Sequence, residues 1–121
     1  MSKNCEKVQE LMDRQKEWSD QTFSEGKFLH ARSLPISFHL QKEAAELTEA
    51  LQNYINDPTE ATNLKVSQEL ADVFLLLLDC TAHVGFSVES LTHFASCKFM
   101  LNKTREWGSP DENGVVEHVR G

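Results

Sequence analysis

Glycine, proline and cysteine are scarce in this 121-residue chain, at 5, 3 and 3 copies, and no cluster of positive charge offsets its formal net charge of -7. Each shortage excludes something. The cysteines Cys5, Cys80 and Cys97 are odd in number and none is spaced as a metal-type pair, so reduced thiols are expected rather than a disulfide framework or a zinc site. No glycine-rich phosphate loop, nucleophile elbow or Ser-His-Asp set occurs. The acidic balance counts against nonspecific binding to nucleic acid or an anionic membrane, because affinity for a phosphate backbone requires clustered Lys and Arg. The apolar run Val73–Leu78 is far too short to span a bilayer, and the N-terminal region carries Lys3, Glu6 and Lys7. A soluble, cytoplasmic protein without nucleic-acid or membrane partners is therefore expected.

What is present is helical patterning. The length suits a single domain over residues 1–121, short enough that an oligomer would help to finish its burial. The stretch from about Leu64 to Val84 predicts a central helix whose second half, Val73–Leu78, is apolar all the way round and so expects neighbours on every side. Around it, Val8, Leu11, Met12 and Trp18 recur at helical spacing and predict a first helix over about 4–20. An irregular connection over 21–33 follows. Ser33-Leu34-Pro35 resembles a helix start, with Ser33 as the cap, and Asp57-Pro58 a helix end. Between them Leu40, Ala44, Leu47, Leu51, Tyr54 and Ile55 form one apolar stripe, with Glu43 inside it and Glu46 on its edge. Residues 59–63 read as a short polar connection or a single turn leading into the central helix, and Gly85 as a left-handed helix cap. A last helix is predicted from about Val88 to Trp107, capped by Ser87 and carrying an apolar stripe of Leu91, Phe94, Ala95 and Leu101. Gly108-Ser109-Pro110 stops it, and the tail 111–121 reads as a short extended arm or a lid.

The chemistry lies in the acids. Glu43 and Glu46 are three apart on one predicted helix, and Glu69 and Asp72 repeat that spacing on the next. A short connection should make those helices antiparallel, so that the pairs face each other as a four-carboxylate cage suited to Mg²⁺ or Mn²⁺, hard ions that prefer carboxylate and water oxygens. Taken singly, either pair also reads as an ordinary solvated face. Asp79 and His83 continue the Glu69–Asp72 face, His83 reading as a helix-end or interhelical hydrogen-bonding residue rather than a ligand. On the last predicted helix Lys98, Asn102 and Arg105 share a side and should point inward, either to hold a phosphate chain or to pair with acids. Trp18, Phe23 and Trp107 are candidates either for stacking on a base or for the core.

In order and spacing these motifs resemble the MazG-like, all-α nucleoside triphosphate pyrophosphohydrolases, whose signature is E-x-x-E, a gap, E-x-x-D, and then K-x-x-x-N-x-x-R. Here these are Glu43 to Glu46, Glu69 to Asp72 and Lys98 to Arg105. The run Trp18-Ser19-Asp20-Gln21-Thr22-Phe23, the run His39-Leu40-Gln41-Lys42-Glu43 and the ending Glu117-His118-Val119-Arg120 resemble the dATP/dGTP diphosphohydrolase branch. After Phe23 the chain departs from that branch, with Ser24-Glu25-Gly26-Lys27 where glycine and proline are common. The resemblance implies a four- to five-helix bundle with a short C-terminal arm, assembled as a homodimer or homotetramer. It implies hydrolysis of a deoxynucleoside triphosphate, dATP or dGTP, to the monophosphate and pyrophosphate. Mg²⁺, or Mn²⁺ in its place, would be held by Glu43, Glu46, Glu69 and Asp72, which would also be catalytic. Lys98 and Arg105 would hold phosphate, Asn102 phosphate or sugar, and Trp18 or Trp107 would flank the base. The same fold acting on dCTP, dUTP or phosphoribosyl-ATP, or a noncatalytic nucleotide-sensing module, are the alternatives.

Overall fold

In the computed structural model, which describes residues 3–23 and 30–120, the architecture is all-α. Four helices follow in order: α1 over Lys3–Phe23, α2 over Ser33–Asn56 after a 3₁₀ turn at His30–Arg32, α3 over Glu60–His83, and α4 over Val88–Thr104. The chain divides into two compact units, residues 1–89 and 90–121.

In the first unit α2 and α3 form the principal pair. Asp57 ends α2, its N–H donating to the Asn53 carbonyl at 2.9 Å, and Pro58 follows where a helix cannot continue. Thr59 then caps α3 with a reciprocal box: its hydroxyl accepts from the Thr62 N–H at 3.1 Å while the Thr62 hydroxyl accepts from the Thr59 N–H at 2.9 Å. So tight a reversal makes the helices antiparallel, and the cross-helix contacts agree. Ser33 lies near Cys80 at one end of the pair, and Asn53 near Lys65 toward the other. The far end of α3 closes with a left-handed Gly85 at φ +90°. The Gly85 N–H donates to the Ala82 carbonyl and the Phe86 N–H to the Thr81 carbonyl, a Schellman motif.

Helix α1 packs on α3 through a buried cluster of Met12, Leu78 and Val88, flanked by Val8, Leu11 and Ala82. Gln9 Oε1 accepts the first N–H of α4, from Val88, at 2.8 Å and so satisfies a donor that no intrahelical carbonyl reaches. In the second unit the arm folds back on itself. Asp111 Oδ1 accepts the N–H groups of Asn113 and Val115, Gly114 takes φ +80°, and Trp107 and His118 form an isolated antiparallel bridge.

Several expectations shift. Helix α1 runs on through Phe23, beyond the expected end at about Asp20, so residues 21–23 are helical rather than irregular, while Ser24-Glu25-Gly26-Lys27 and Phe28 lie outside the described residues. Ser33 is the first residue of α2 and not its cap, because a 3₁₀ turn leads straight in with Arg32 already at helical dihedrals. Residues 60–63 are the first turn of α3, since Thr62 takes the role that a Glu or Gln usually fills in a capping box. Helix α4 stops at Thr104, so Arg105 and Trp107 stand past its end.

The expected burial also changes. In α2 the buried line is Ile36 and Ala50 with half-buried Leu40, Glu43, Leu47 and Tyr54, whereas Ala44, Leu51 and Ile55 are exposed. In α3 one side of the helix, Leu70, Phe74 and Leu77 at i, i+4 and i+7, is exposed among the described residues. Within the second unit the stripe on α4 is exposed at Phe94, Ala95 and Leu101 and half-buried at Leu91, and Lys98 is exposed. Among the described residues no single helix is long and apolar enough to cross a membrane.

Candidate active site

The acids of α2 and α3 meet. Glu43, Glu69 and Asp72 each offer a carboxylate oxygen, and these oxygens all lie within 4.8 Å of one another. Glu69 is 4% exposed, Glu43 half-buried and Asp72 exposed, so the cluster runs from the helix interface to the surface. Hydrogen bonding with Glu46, one turn on, then burial, then the charges of Glu46, Asp72 and Glu69 push the Glu43 carboxyl above its ordinary range. Compensation is partial. Lys65 Nζ reaches Glu69 Oε1 at 3.0 Å from an exposed stem, and His39 Nε2 lies 3.3 Å from Glu43 Oε1. Glu43 Oε2 and Glu69 Oε2 are buried with no hydrogen-bond partner. A buried carboxylate oxygen without a donor is costly, and a divalent cation is the partner that several convergent carboxylates fit.

Two cavities flank this cluster. One, of about 250 Å³, runs between α1, α2 and α3 and is lined by Trp18, Phe23, His39, Glu43, Asp72 and Asp79 among others. The second, of about 290 Å³, is lined by Glu46, Glu49, Ala50, Asn53, Lys65 and Glu69. Trp18 therefore shares a cavity with Glu43 and Asp72. It is half-exposed and meets Phe23 edge to face, with ring centroids 5.3 Å apart.

A model of the dATP/dGTP pyrophosphohydrolase family matches residues 11–121. The chain belongs to this family. It is thus a nucleotide pyrophosphohydrolase of the MazG-like group, and the match runs through both compact units. No match was found among curated proteins or among solved structures.

The remaining expected site residues of this pyrophosphohydrolase lie in its second unit, where Arg105 and Trp107 both contact Asn102. Arg105 Nη1 donates to Asn102 Oδ1 at 3.4 Å, and the Trp107 indole N–H donates to the Asn102 carbonyl at 2.9 Å. Trp107 also packs edge to face on His118 at 6.0 Å. Lys98 is exposed.

Behind the first cavity lies a buried ionic network. His83, with a fully buried side chain, bridges α3 to α1: its Nε2 lies 2.6 Å from Asp20 Oδ1 and its Nδ1 2.8 Å from the Asp79 carbonyl. This bears out His83 as an interhelical hydrogen-bonding residue. Both partners are oxygens that only accept, so each ring nitrogen is called on as a donor. Asp20 is further held by Lys16 Nζ at 2.8 Å and faces Arg32 Nε at 3.8 Å, while Arg32 donates to the buried Ser19 hydroxyl. Burial alone would raise the Asp20 pKa; the hydrogen bonds from His83 and Lys16 outweigh it, so the carboxyl is held below its ordinary value.

The sign of the resulting stability follows from linkage. A depressed carboxylate pKa contributes stability that is fully present above the unfolded-state value and is lost as pH falls through the folded one. The stability difference between the wild type and Asp20→Asn should therefore be large at neutral pH and shrink below roughly pH 4. Urea unfolding of both proteins across that range checks it, and a gap independent of pH would rule out the ionic account.

Apart from the part of His83, the network is not legible in the sequence. Asp20 and Arg32 stand in the N-terminal third and His83 in the central helix, and no local spacing connects them. The one available signal was an aspartate and a histidine on the buried face of an apolar helix, each requiring a partner from elsewhere.

Proposed function

We propose that this chain hydrolyses dATP and dGTP to the deoxynucleoside monophosphate and pyrophosphate, with Mg²⁺ as cofactor and Mn²⁺ able to replace it. The observation that carries the reading is the pair of buried, partnerless oxygens Glu43 Oε2 and Glu69 Oε2 within a three-carboxylate cluster at the edge of a cavity that also holds Trp18. Glu43, Glu69 and Asp72 hold the ion, with Glu46 completing the set. When bound, the ion neutralises phosphate charge and favours ionisation of a water.

The chain's own residues do the rest. Trp18 offers an aromatic face to the base, as does Trp107. Lys98 and Arg105 bind phosphate oxygens, and Asn102, which already orients Arg105, binds phosphate or sugar. A carboxylate of the set not fully engaged by the ion takes the proton of the attacking water. Water adds at the α-phosphorus, the bond to the bridging oxygen breaks, and pyrophosphate leaves.

The working unit is a single domain over residues 1–121, since one family match spans both compact units. It acts as a homodimer or homotetramer. The exposed Leu70, Phe74 and Leu77 on α3 and Leu51 and Ile55 on α2 support this, because adjacent large apolar side chains of this kind commonly mark an interface. Cys80 and Cys97 are free thiols, in keeping with a cytoplasmic protein.

Pyrophosphate release measured over dATP, dGTP, dCTP, dUTP and phosphoribosyl-ATP tests the reading. Turnover is expected with dATP and dGTP, only in the presence of Mg²⁺ or Mn²⁺, and abolished by chelation. Equal, slow release from every nucleotide would remove the purine assignment, and preference for a pyrimidine or for phosphoribosyl-ATP would replace it.

A further inference from the structure

The first cavity has a polar floor that the carboxylate cluster does not use. Asp79 is 2% exposed and lines the cavity two turns along α3 from Asp72, about 10 Å on at 1.5 Å per residue. Its compensation is thin. Gln15 Nε2 on α1 donates to Oδ2 at a long 3.4 Å. Oδ1 lies 2.9 Å from His83 Nδ1, yet that proton goes to the Asp79 carbonyl, so Oδ1 is left buried without a hydrogen bond. A desolvated carboxylate that lines a cavity favours an N–H donor from whatever enters it.

The shape of the cavity narrows what that is. At about 250 Å³ it falls just short of the roughly 300–1,000 Å³ of pockets that enclose a whole drug-sized ligand, so it takes part of a nucleotide. The metal-ligand carboxylates Glu43 and Asp72 stand at one end, where phosphates belong. Trp18 and Phe23 supply aromatic wall, which accepts any base and reads none. Reading falls to the polar floor. Resting on the reading given under Proposed function, we propose that Asp79, positioned by Gln15 and His83, is the specificity residue for the base and accepts an N–H from the Watson–Crick edge of the purine. Adenine offers its 6-amino group and guanine its ring N1–H and 2-amino group. Gln15 supplies the adjacent amide, which can donate to the ring nitrogen of adenine or the oxygen of guanine.

The test compares dATP with 2′-deoxypurine riboside triphosphate, the same nucleotide without the 6-amino group and hence without any N–H on that edge. Wild-type enzyme with Mg²⁺ should prefer dATP in kcat/KM by about tenfold to a hundredfold, carried by KM, as for the loss of a hydrogen bond to a charged group. In Asp79→Asn, and in the smaller Asp79→Ser, that ratio should fall to within about threefold of unity. Because both nucleotides meet the same folded molecules, the ratio does not depend on how much of a variant folds. A wild-type ratio near one overturns the proposal even if neither variant can be purified, and so does a ratio that survives in the variants. If the wild type turns over neither nucleotide, the proposed function fails first and this inference falls with it.

Discussion

Glu69→Gln and Asp72→Asn are each expected to lower pyrophosphate release from dATP and dGTP by at least about 10²–10³-fold, the scale on which removal of one preorganised electrostatic group acts. A second effect has the opposite sign. Without metal the cluster is a set of like charges held together by the fold, and the Glu43 carboxyl is raised by hydrogen bonding with Glu46, by burial and then by the charges of Glu46, Asp72 and Glu69. Removing one of the charges should therefore stabilise the metal-free protein or leave it unchanged. Mg²⁺ at about 100 times its Kd should stabilise the wild type by about 2.7 kcal/mol, and this should vanish in the variants. Thermal melts with EDTA and with Mg²⁺ provide the four comparisons needed. Inactive variants that melt lower in EDTA would attribute the loss to damaged folding and not to a lost ligand.

The same cluster fixes the direction of a pH effect. With its pKa raised in the folded state, Glu43 favours the metal-free fold at low pH, and that contribution is lost as pH rises through the folded value. Cation binding must displace the same proton, so Mg²⁺ affinity should weaken on acidification through that range.

How far the sequence reveals this site depends on how local each signal is. The helices were legible because Asp57-Pro58 and Gly85 punctuate them and the apolar spacing between is regular. The meeting of Glu43 with Glu69 and Asp72 was legible too, because a short connection leaves two helices little choice but to pack antiparallel. The burial pattern was not. Ala44, Leu51 and Ile55 belong to the apolar pattern of α2 yet are exposed, as are Leu70 and Phe74 on α3. Periodicity records that a side chain is apolar and not which surface covers it. The end of α1 was misplaced because no glycine or proline stands at its boundary, and that of α4 because the helix ends at Thr104, ahead of the Gly108-Ser109-Pro110 stop. The Asp20, Arg32 and Asp79 contacts lie far apart in the chain and required the fold itself.

His83→Ala is expected to be the most destabilising single change in the first unit, at about 3–5 kcal/mol, the cost of removing one member of a buried ionic set. The reason is what it leaves behind. His83 contributes the nitrogen 2.6 Å from Asp20 and the one 2.8 Å from the Asp79 carbonyl, and its own side chain is wholly buried. Lys16 can retain Asp20 at the surface, but Asp79 would keep only the 3.4 Å contact from Gln15. A melting temperature lower by about 10 °C or more follows for a domain of this size. His83→Gln, which can still place one donor near Asp20, should recover part of the loss, whereas Asp20→Asn in the His83→Ala background should cost little more, since the two residues act through one contact. Denaturant unfolding of the two single mutants and the double mutant measures that coupling. Additive losses would show that His83 fills space in the α1–α3 interface and does not balance charge there. A coupling of the expected sign would mean that the contact between His83 and Asp20 joins α1 to α3.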